Sequence, residues 1–349
     1  MPKANLALTE EHVPRGTARA LVVTLLVAVV AFGLSNAALR RELDRRTHNR
    51  ALWLIQQKWE LLERVAGDVD TVVLGDSAGN QGVRPDVLSE RLGGAAVNYC
   101  TIGDMLAVND AWMLERHLER HAPPKRVIVV HAYDVWHRSA KVLRHKLLWR
   151  VPEPWGFWEE REPKVALESR AAAELFVRRY LPVYYEHKTI AEWVTSPSTL
   201  APAGFSLDGA GYMRLDEAKP DRVKRDAASH VAFLRKRQFS LSKANRNALA
   251  RLEALGEKHG FEIFLANAPI YEGLRREPQF VRYFAALDRE LGQIADASPR
   301  LSYVLREPVT FPASAMENAD HLTHAAAAEY TAELAKAIAT TPTDSAAFK

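Results

Sequence analysis

Short apolar runs separated by helical patterns account for most of the chain. Five runs are rich in β-branched or aromatic residues, which is typical of buried strands. They lie at 71–74, 95–100, 126–131, 261–266 and 301–305. Between and after them, apolar residues at helical spacing predict helices at 87–92, 104–120, 217–238, 242–259, 280–294 and 323–338. Strands that alternate with helices predict an α/β fold with a doubly wound, parallel five-stranded sheet.

This regularity breaks between 133 and about 216. The stretch contains a proline-rich VPEPW, a loop-like GFSLDGAGYM and the tryptophans Trp136, Trp149, Trp155 and Trp158. Aspartate and glycine residues in such a run favour turns. We therefore expect a partly helical insertion over the mouth of the sheet, at about 134–258 of the domain. Its tryptophans suit stacking on sugar rings as well as packing against the domain or a bilayer surface.

The N-terminal part contains one long apolar run. Residues 20–34 are almost all apolar and 35–39 extend the run weakly, and about 20 residues suffice to cross a bilayer. We expect a cytoplasmic or disordered tail at 1–19, a transmembrane helix at 20–39 and a juxtamembrane helix at 40–66. Residues 35–37, Ser-Asn-Ala, also resemble a small-x-small cleavage site, so a removed signal peptide is the alternative.

Basic residues on the two sides of the apolar run bear on its orientation. Three precede it and five follow it: Lys3, Arg15 and Arg19, then Arg40, Arg41, Arg45, Arg46 and Arg50. Taken by itself, the positive-inside rule predicts that the body of the protein lies in the cytoplasm.

The composition excludes some classes of protein. Of the 349 residues, 48% are hydrophobic and 26% are charged, which is typical of a globular protein, and we expect disorder only in the tails, at the C-terminus in 342–349. The net charge of +4 comes from scattered residues rather than a basic stripe with interleaved aromatics, so we expect no nucleic-acid partner. The single cysteine, Cys100, excludes an intramolecular disulfide and a zinc site built from several cysteines.

The stretch TVVLGDSAGN, residues 71–80, ends a predicted strand at a polar turn. Gly75 permits backbone conformations that are closed to other residues, and Asp76 can hydrogen-bond the turn. Ser77 would then lie at the carboxyl edge of the sheet, where open α/β folds bind their ligands. A serine becomes a nucleophile when an imidazole takes its proton and an anionic group orients that imidazole.

His321 is the histidine best placed for this task. It lies in MENADHLTHAAAA, residues 316–328, between the last predicted strand and the last predicted helix. In a doubly wound sheet this loop returns to the carboxyl edge, near Ser77. Glu317, Asn318 and Asp320 are the local candidates for the group that orients the imidazole.

These residues together resemble the SGNH/GDSL hydrolase superfamily. GDS follows the first strand, a glycine follows the second in NYCTIGDM, and DHLT precedes the final helix. The resemblance implies a flavodoxin-like fold of the SGNH type for residues 67–341, without a cofactor. It implies that Ser77 is the nucleophile, that His321 is the general base, and that the backbone N–H groups of Ser77 and Gly103 bind the oxyanion.

The chain also resembles a subgroup of this superfamily from bacterial envelopes. The resemblance rests on three features: the membrane anchor, Asn98 near the end of strand two, and HLT before an alanine-rich helix. Its members O-acetylate alginate and related glycans or assist D-alanylation of teichoic acid, some of them beside multi-pass acyltransferases. The resemblance thus implies a single-pass inner-membrane protein with a periplasmic body, despite the arginines. It implies an esterase or O-acyltransferase that acts on acylated carbohydrate, with a multi-pass membrane acyltransferase as its partner.

Two positions depart from the family pattern. Tyr133 stands where the family has the asparagine of GxND, an oxyanion donor, and Asp134 stands where it has the aspartate. Asn318 stands where an aspartate usually lies three residues before the histidine; an asparagine there still orients imidazole but stabilises its cation less. The alternative is therefore a catalytically inert protein that binds glycan or a membrane partner in envelope assembly. A cytoplasmic hydrolase is a third hypothesis.

Other polar residues are weaker candidates. Asp76, Asp134 and His137 are candidates for substrate contacts, and Tyr133 offers a hydroxyl as a substitute oxyanion donor. His324 follows His321 by three residues, but a metal site there would need further ligands, so we expect no metal. GDSAGNQG lacks both GxGxxG and GK[ST], which argues against a phosphate cradle.

Overall fold

The computed structural model describes residues 15–45, 50–139, 151, 169–195 and 206–342. The chain divides into two compact units. The helical unit consists of Met1–Thr47 and Phe176–Pro202, and the sheet unit consists of His48–Leu175 and Ala203–Lys349. The predicted tails lie largely outside the described residues, as do Trp149, Trp155 and Trp158 of the predicted insertion.

The helices are, in chain order, α1 (Arg15–Arg45), α2 (Arg50–Arg64), α3 (Ser77–Gly82), α4 (Pro85–Leu92), α5 (Leu106–Leu118), α6 (Ser169–Tyr180), α7 (Pro182–Tyr185), α8 (His187–Thr195), α9 (Pro220–Leu234), α10 (Lys243–His259), α11 (Glu272–Arg275), α12 (Pro278–Asp296) and α13 (His324–Thr340). The strands are β1 (Thr71–Gly75), β2 (Ala96–Asn98), β3 (Arg126–His131), β4 (Glu262–Asn267), β5 (Ile270–Tyr271), β6 (Leu301–Val304) and β7 (Thr310–Phe311).

Five strands form one parallel sheet in the order β2-β1-β3-β4-β6. Every residue of β1 is buried, and so is every residue of β3 and β4 after the first. Because successive side chains point to opposite faces, burial without alternation means that both faces of these strands are covered. The predicted α/β class and parallel five-stranded sheet are therefore confirmed. The short strands β5 and β7, which pair with each other, and the helices α3 and α11 were not predicted.

The strand order places the end of β1 at a special position. β1 lies between β2 and β3, so the chain adds its strands first on one side of β1 and then on the other. In open α/β sheets, ligands bind outside the carboxyl ends of the strands at such a switch point. The segment that follows β1 begins with Asp76 and Ser77.

A buried lysine closes the β2 edge of the sheet. Lys58 of α2 donates from Nζ to the carbonyl oxygens of Asn98, at 2.7 Å, and Gly211, at 2.5 Å. Burial lowers the pKa of Lys58 to about 7. The Asn98 amide in turn donates to the carbonyl oxygens of Gly79, at 3.1 Å, and Val83, at 2.9 Å. This chain of bonds ties α2, β2 and α3 together and holds the short helix that carries Ser77.

The helical unit contains the predicted membrane segment. Its helix α1 is 31 residues long, and an 18-residue window within Gly16–Leu43 has a mean hydropathy of 2.3. It is long and apolar enough to cross a membrane, and ten of its large apolar side chains are exposed, from Leu21 to Leu34. Residues 40–45 of the predicted juxtamembrane helix continue α1, 46–49 lie outside the described residues, and α2 begins at Arg50.

Candidate active site

Ser77 is the first residue of a helix rather than part of a simple turn. Gly75 ends β1 with a φ of +142°, and a Cβ at this position would lie 1.9 Å from the carbonyl oxygen of Val130. Only glycine fits here, because both the backbone conformation and the neighbouring strand exclude a side chain. Asp76 then caps α3 and accepts from the N–H groups of Ala78, at 2.9 Å, and Gly79, at 3.4 Å.

The cap leaves one donor at the start of α3 unused by the helix. The first N–H groups of a helix have no intrahelical partner, and Asp76 takes only those of the second and third residues. The N–H of Ser77 therefore stays available beside its own hydroxyl. Six residues with two glycines, SAGNQG, have little helical propensity, so this helix depends on its cap and on Asn98.

The loop that carries His321 is held by backbone hydrogen bonds on all sides. Met316 pairs with Leu322, and the Glu317 N–H donates to the His321 carbonyl at 2.9 Å. The Lys219 N–H donates to Met316 at 2.8 Å, and the Tyr271 N–H donates to Ala319 at 2.8 Å. The first two contacts lie within the loop and the last two come from segments distant in sequence, so the loop has a defined conformation although it has no regular secondary structure.

The structure brings Ser77 and His321 together. His321 Nε2 lies 2.9 Å from Ser77 Oγ, which is within hydrogen-bonding distance. Burial lowers the pKa of His321 to about 4, although the Asp76 carboxylate opposes this shift. The imidazole is therefore neutral at pH 7, as a general base must be before it accepts a proton.

Asn318 is the residue that contacts the other ring nitrogen of His321. Its Oδ1 accepts from the backbone N–H groups of His321, at 2.8 Å, and Asp320, at 3.2 Å. Its Nδ2 then faces His321 Nδ1 at 2.7 Å. An amide nitrogen only donates, so Nδ1 must accept and the proton of the neutral ring lies on Nε2. In this tautomer His321 donates to Ser77 instead of accepting from it.

Asp320, the other sequence candidate for orienting the imidazole, lies on the opposite side of the ring. Its Oδ1 is 3.8 Å from His321 Nε2, the nitrogen that faces Ser77. Burial raises the pKa of Asp320 to about 7, and the nearby Asp76 and Asp134 carboxylates add to the increase while His230 opposes it. Asp320 is thus a second titratable group near the serine. Of Asp320 and Asn318, it is Asn318 that contacts Nδ1 of His321.

Asp76 belongs to a buried charge network beneath the serine. Its Oδ2 accepts from the Ala132 N–H at 2.8 Å and lies 3.8 Å from His131 Nδ1. His131 Nε2 is 2.5 Å from Asp110 Oδ2. Burial disfavours the imidazolium, but Asp110 and Asp76 outweigh it and raise the pKa of His131 to about 9. Asp76 is buried and its carboxylate is occupied by these bonds and the α3 cap, so it holds the site together.

Gly103 lies in the segment that follows β2, beside the segment that follows β1 and carries Ser77. The Thr101 N–H donates to the Gly75 carbonyl at 2.8 Å, and Gly103 and Ser77 each lie two residues beyond this bond. A Cβ on Gly103 would lie 2.8 Å from Val135 and 3.0 Å from Arg138, so the turn after β3 packs on it.

Arg138 joins the segments that follow β2 and β3. Its guanidinium donates to Asp104 Oδ1 at 2.8 Å and to Asp134 Oδ2 at 2.6 Å. Burial works against the charge, but Asp134 outweighs it and raises the pKa of Arg138 above its ordinary value. From the sequence, Arg138 is a candidate contact for an anionic substrate or an ordinary surface-loop residue, and its four-residue spacing from Asp134 was the available signal for this ion pair. Asp134, a predicted substrate contact, is thus paired within the protein.

Tyr133 uses its hydroxyl for another contact. The hydroxyl is hydrogen-bonded to His230 Nδ1, and the ring packs edge-on against Phe280 and Tyr283. Burial raises the pKa of Tyr133. His230 lies 3.7 Å from Asp226, which also accepts from the Ala319 N–H at 3.0 Å, next to Asn318. Sequence reasoning missed His230 and Asp226, because their helix α9 carries no recognisable motif.

His137, the last predicted substrate contact, is also engaged internally. Its Nδ1 is 2.8 Å from the Tyr283 hydroxyl, and burial lowers its pKa. Residues Glu317 and His324 likewise have partners: Glu317 binds Arg222 at 3.0 Å, and His324 Nδ1 lies 3.3 Å from the Tyr212 hydroxyl. Within the part of the chain that the structure describes, no group of three His, Cys, Asp or Glu residues could hold a metal ion.

Comparison with known proteins adds little to this geometry. No protein family model and no curated protein match the chain. Several solved structures do, among them one from Streptococcus pneumonia whose description names a platelet activating factor. It is 13% identical, with a TM-score of 0.38, over 92% of this chain and 97% of the other. A likeness at this level carries no argument about activity, which therefore rests on the residues of the site.

Proposed function

We propose that this protein is a membrane-anchored serine esterase or acyltransferase that acts on acyl esters of cell-envelope carbohydrate through an acyl-enzyme. The observation that carries the proposal is the 2.9 Å contact between Ser77 Oγ and His321 Nε2. It joins two residues 244 positions apart, at the carboxyl edge of a parallel sheet. The strand order and the GDS, glycine and DHLT motifs support assigning the domain to the flavodoxin-like SGNH/GDSL type.

In the proposed reaction, Ser77 Oγ attacks the acyl carbonyl carbon while His321 Nε2 takes the hydroxyl proton. The N–H groups of Ser77 and Gly103 donate to the oxyanion of the tetrahedral intermediate. His321 then returns the proton to the departing sugar oxygen, and the acyl group remains on Ser77. Water or a second sugar hydroxyl attacks the acyl-enzyme with His321 again as the base. Tyr133 takes no part, because its hydroxyl is bonded to His230.

This reaction needs the proton of His321 on Nδ1, which requires Asn318 to turn its oxygen toward the ring. The turn breaks two hydrogen bonds between Asn318 Oδ1 and backbone N–H groups. Each such bond contributes about 0.5–1.5 kcal/mol, so the turn costs about 1–3 kcal/mol. We therefore expect a slower reaction than in a site with an aspartate at this position, whether the acceptor is water or a sugar hydroxyl.

The proposal includes the location of the protein. Helix α1 would anchor it in the bacterial inner membrane, with the sheet unit in the periplasm and a multi-pass membrane acyltransferase as the donor of acyl groups. A C-terminal alkaline phosphatase fusion, active only outside the cytoplasm, tests the orientation. A fusion that is inactive, while a green fluorescent protein fusion at the same site is bright, would place the sheet unit in the cytoplasm.

A second candidate function is supported by the orientation of Asn318. If the amide never turns, the protein is a catalytically inert member that binds glycan or a membrane partner in envelope assembly. The two candidates differ in whether Ser77 can be activated at all.

The deciding experiment is fluorophosphonate labelling of the full chain in detergent. We expect labelling of the wild type, none of Ser77→Ala, and full labelling of the control Ser229→Ala, an exposed serine on α9. An acyl ester of an oligosaccharide should then be turned over by the same variants in the same order. Absence of label from every variant favours the inert binding protein, and label that survives Ser77→Ala contradicts the catalytic assignment.

A further inference from the structure

In the helical unit, aromatic side chains of residues beyond α1 are exposed to solvent. Among the described residues beyond α1, four large hydrophobic side chains are exposed: Phe176, Tyr180, Tyr184 and Val281. Three of these four lie within nine residues of the helical unit, and Tyr184 is 73% exposed. They recur at intervals of four residues, and the rings of Phe176 and Tyr180 lie 4.9 Å apart. Exposed aromatics concentrated in this way mark an interaction surface.

Residues 176–185, which carry these aromatic side chains, are attached to α1 at Asn36. Asn36 of α1 is only 4% exposed. Its Oδ1 accepts from the Val183 N–H at 3.1 Å, and its Nδ2 donates to the Phe32 carbonyl at 2.8 Å. A polar side chain in an apolar helix needs such partners when water is absent. The bond therefore holds the start of α7 against α1.

The attachment point lies near the end of the apolar run. Asn36 precedes Arg40, the first charged residue after the run, by four residues, which is about 6 Å along a helix. If α1 crosses a bilayer, Arg40 and Arg41 lie among the headgroups, and Asn36 lies just inside the hydrocarbon boundary. α7 is then held at the level where tyrosine rings are enriched in membrane proteins, since one end of the ring is apolar and the other is polar.

We propose that residues 176–185 form a second membrane contact, in which Phe176, Tyr180 and Tyr184 insert at the boundary between lipid headgroups and acyl chains. The inference rests on the proposed anchor. It adds a role for α7 and the adjoining end of α6, neither of which carries a residue of the proposed reaction. The partner of this surface is the bilayer itself. The contact would hold residues 176–185, which pack on α1 although they are far from it in sequence, against the membrane surface.

Spin labelling of the full chain in phosphatidylcholine nanodiscs tests this. The only native cysteine, Cys100, is buried and its thiol pKa is raised well above normal by that burial, so introduced cysteines take a nitroxide selectively. The probes are Tyr184→Cys and Tyr180→Cys, with Glu257→Cys on α10 as the aqueous reference and Leu26→Cys on α1 as the deep reference. Collisions with oxygen report lipid, and collisions with a nickel chelate report water.

We expect the ratio of oxygen to nickel collisions at Tyr184 and Tyr180 to be severalfold above that at Glu257 and below that at Leu26. Nickel collisions as frequent as at Glu257 would overturn the inference, whatever the Leu26 label shows. Shielding from both reagents would also overturn it, because that result means a protein contact. The Leu26 label decides separately whether α1 is in the bilayer, so failure of the anchor and failure of this contact remain distinguishable.

Discussion

Asn318 presents its amide nitrogen, not its oxygen, to Nδ1 of His321, at 2.7 Å. The oxygen is held by two backbone N–H groups of its own loop. An aspartate at this position would accept from the same N–H groups with one oxygen and from Nδ1–H with the other. The identity of one side-chain atom therefore decides which ring nitrogen carries the proton, and with it whether His321 can activate Ser77.

Asn318→Asp should raise the rate of fluorophosphonate labelling of Ser77. In a serine protease triad the converse change lowers kcat about 10⁴-fold, because it leaves the imidazole in the wrong tautomer. Since Asn318 can turn at a cost of about 1–3 kcal/mol, the gain expected here is about 5–150-fold. The rate constant of labelling, measured under pseudo-first-order conditions, gives the ratio.

Asn318→Ala is the matched control for this change. It removes the donor to Nδ1 without adding an acceptor, so it should gain much less than the aspartate variant. Equal gains in the two variants would show that the amide only blocks the ring. A loss of labelling in Asn318→Asp would contradict the tautomer assignment.

The pH dependence of labelling should reflect the burial of His321. A general base works only when deprotonated, so labelling is lost as pH falls through its pKa. With that pKa lowered to about 4, the rate should stay level from pH 8 to about pH 5 and fall below that. An aspartate at 318 places an anion beside the ring, which raises its pKa, so Asn318→Asp should move the acid limb upward.

Asp320 supplies the check on that profile. Its pKa, raised to about 7 by burial, would produce a limb near neutrality if this carboxyl controlled the serine. Such a limb in the wild type that disappears in Asp320→Asn would assign control to Asp320 instead of His321. Circular dichroism at each pH confirms that the protein remains folded.

Gly75→Ala should severely destabilise the sheet unit. The new Cβ would meet the Val130 carbonyl at 1.9 Å, and the φ of +142° is itself unfavourable for alanine. We expect a loss of more than about 4 kcal/mol in the free energy of unfolding, or failure to fold. Gly209→Ala is the control, since a Cβ there meets nothing within 4 Å, and it should change stability by less than about 1 kcal/mol. Similar thermal unfolding of the two variants would argue against the close approach of β1 and β3.

Asp110→Asn should destabilise the protein through His131. The buried imidazolium loses its nearest carboxylate, at 2.5 Å, and only Asp76 remains at 3.8 Å. Breaking a buried ion pair costs about 3–5 kcal/mol. Asp86→Asn removes a pair with Arg84 in which the carboxylate is 62% exposed, and it should cost less than about 1 kcal/mol. Thermal unfolding in one detergent compares the two, and equal shifts would mean that the buried His131–Asp110 pair stabilises the protein no more than an exposed pair does.

The sequence by itself determined the five strands of the main sheet, most of the helices and the proximity of Ser77 and His321. Apolar runs rich in β-branched residues favour buried strands. The five strands of the sheet therefore follow from the five apolar runs that begin at 71, 95, 126, 261 and 301. Helix limits moved by a few residues; the predicted helix at 280–294, for example, is Pro278–Asp296. Parallel topology brings the loops after the strands to one edge of the sheet, and for this reason the motifs alone predict that Ser77 and His321 meet.

Only the tertiary structure decided what the neighbours of this pair do. Helix α3 has a sequence with little helical propensity and exists because Asp76 caps it and Asn98 holds its backbone. The hydroxyl of Tyr133 is bonded to His230, a residue 97 positions away. The orientation of Asn318 depends on a loop whose conformation is set by bonds from distant segments. Hydrophobic periodicity is a local property, whereas the direction of a hydrogen bond depends on atoms that meet only after the chain has folded.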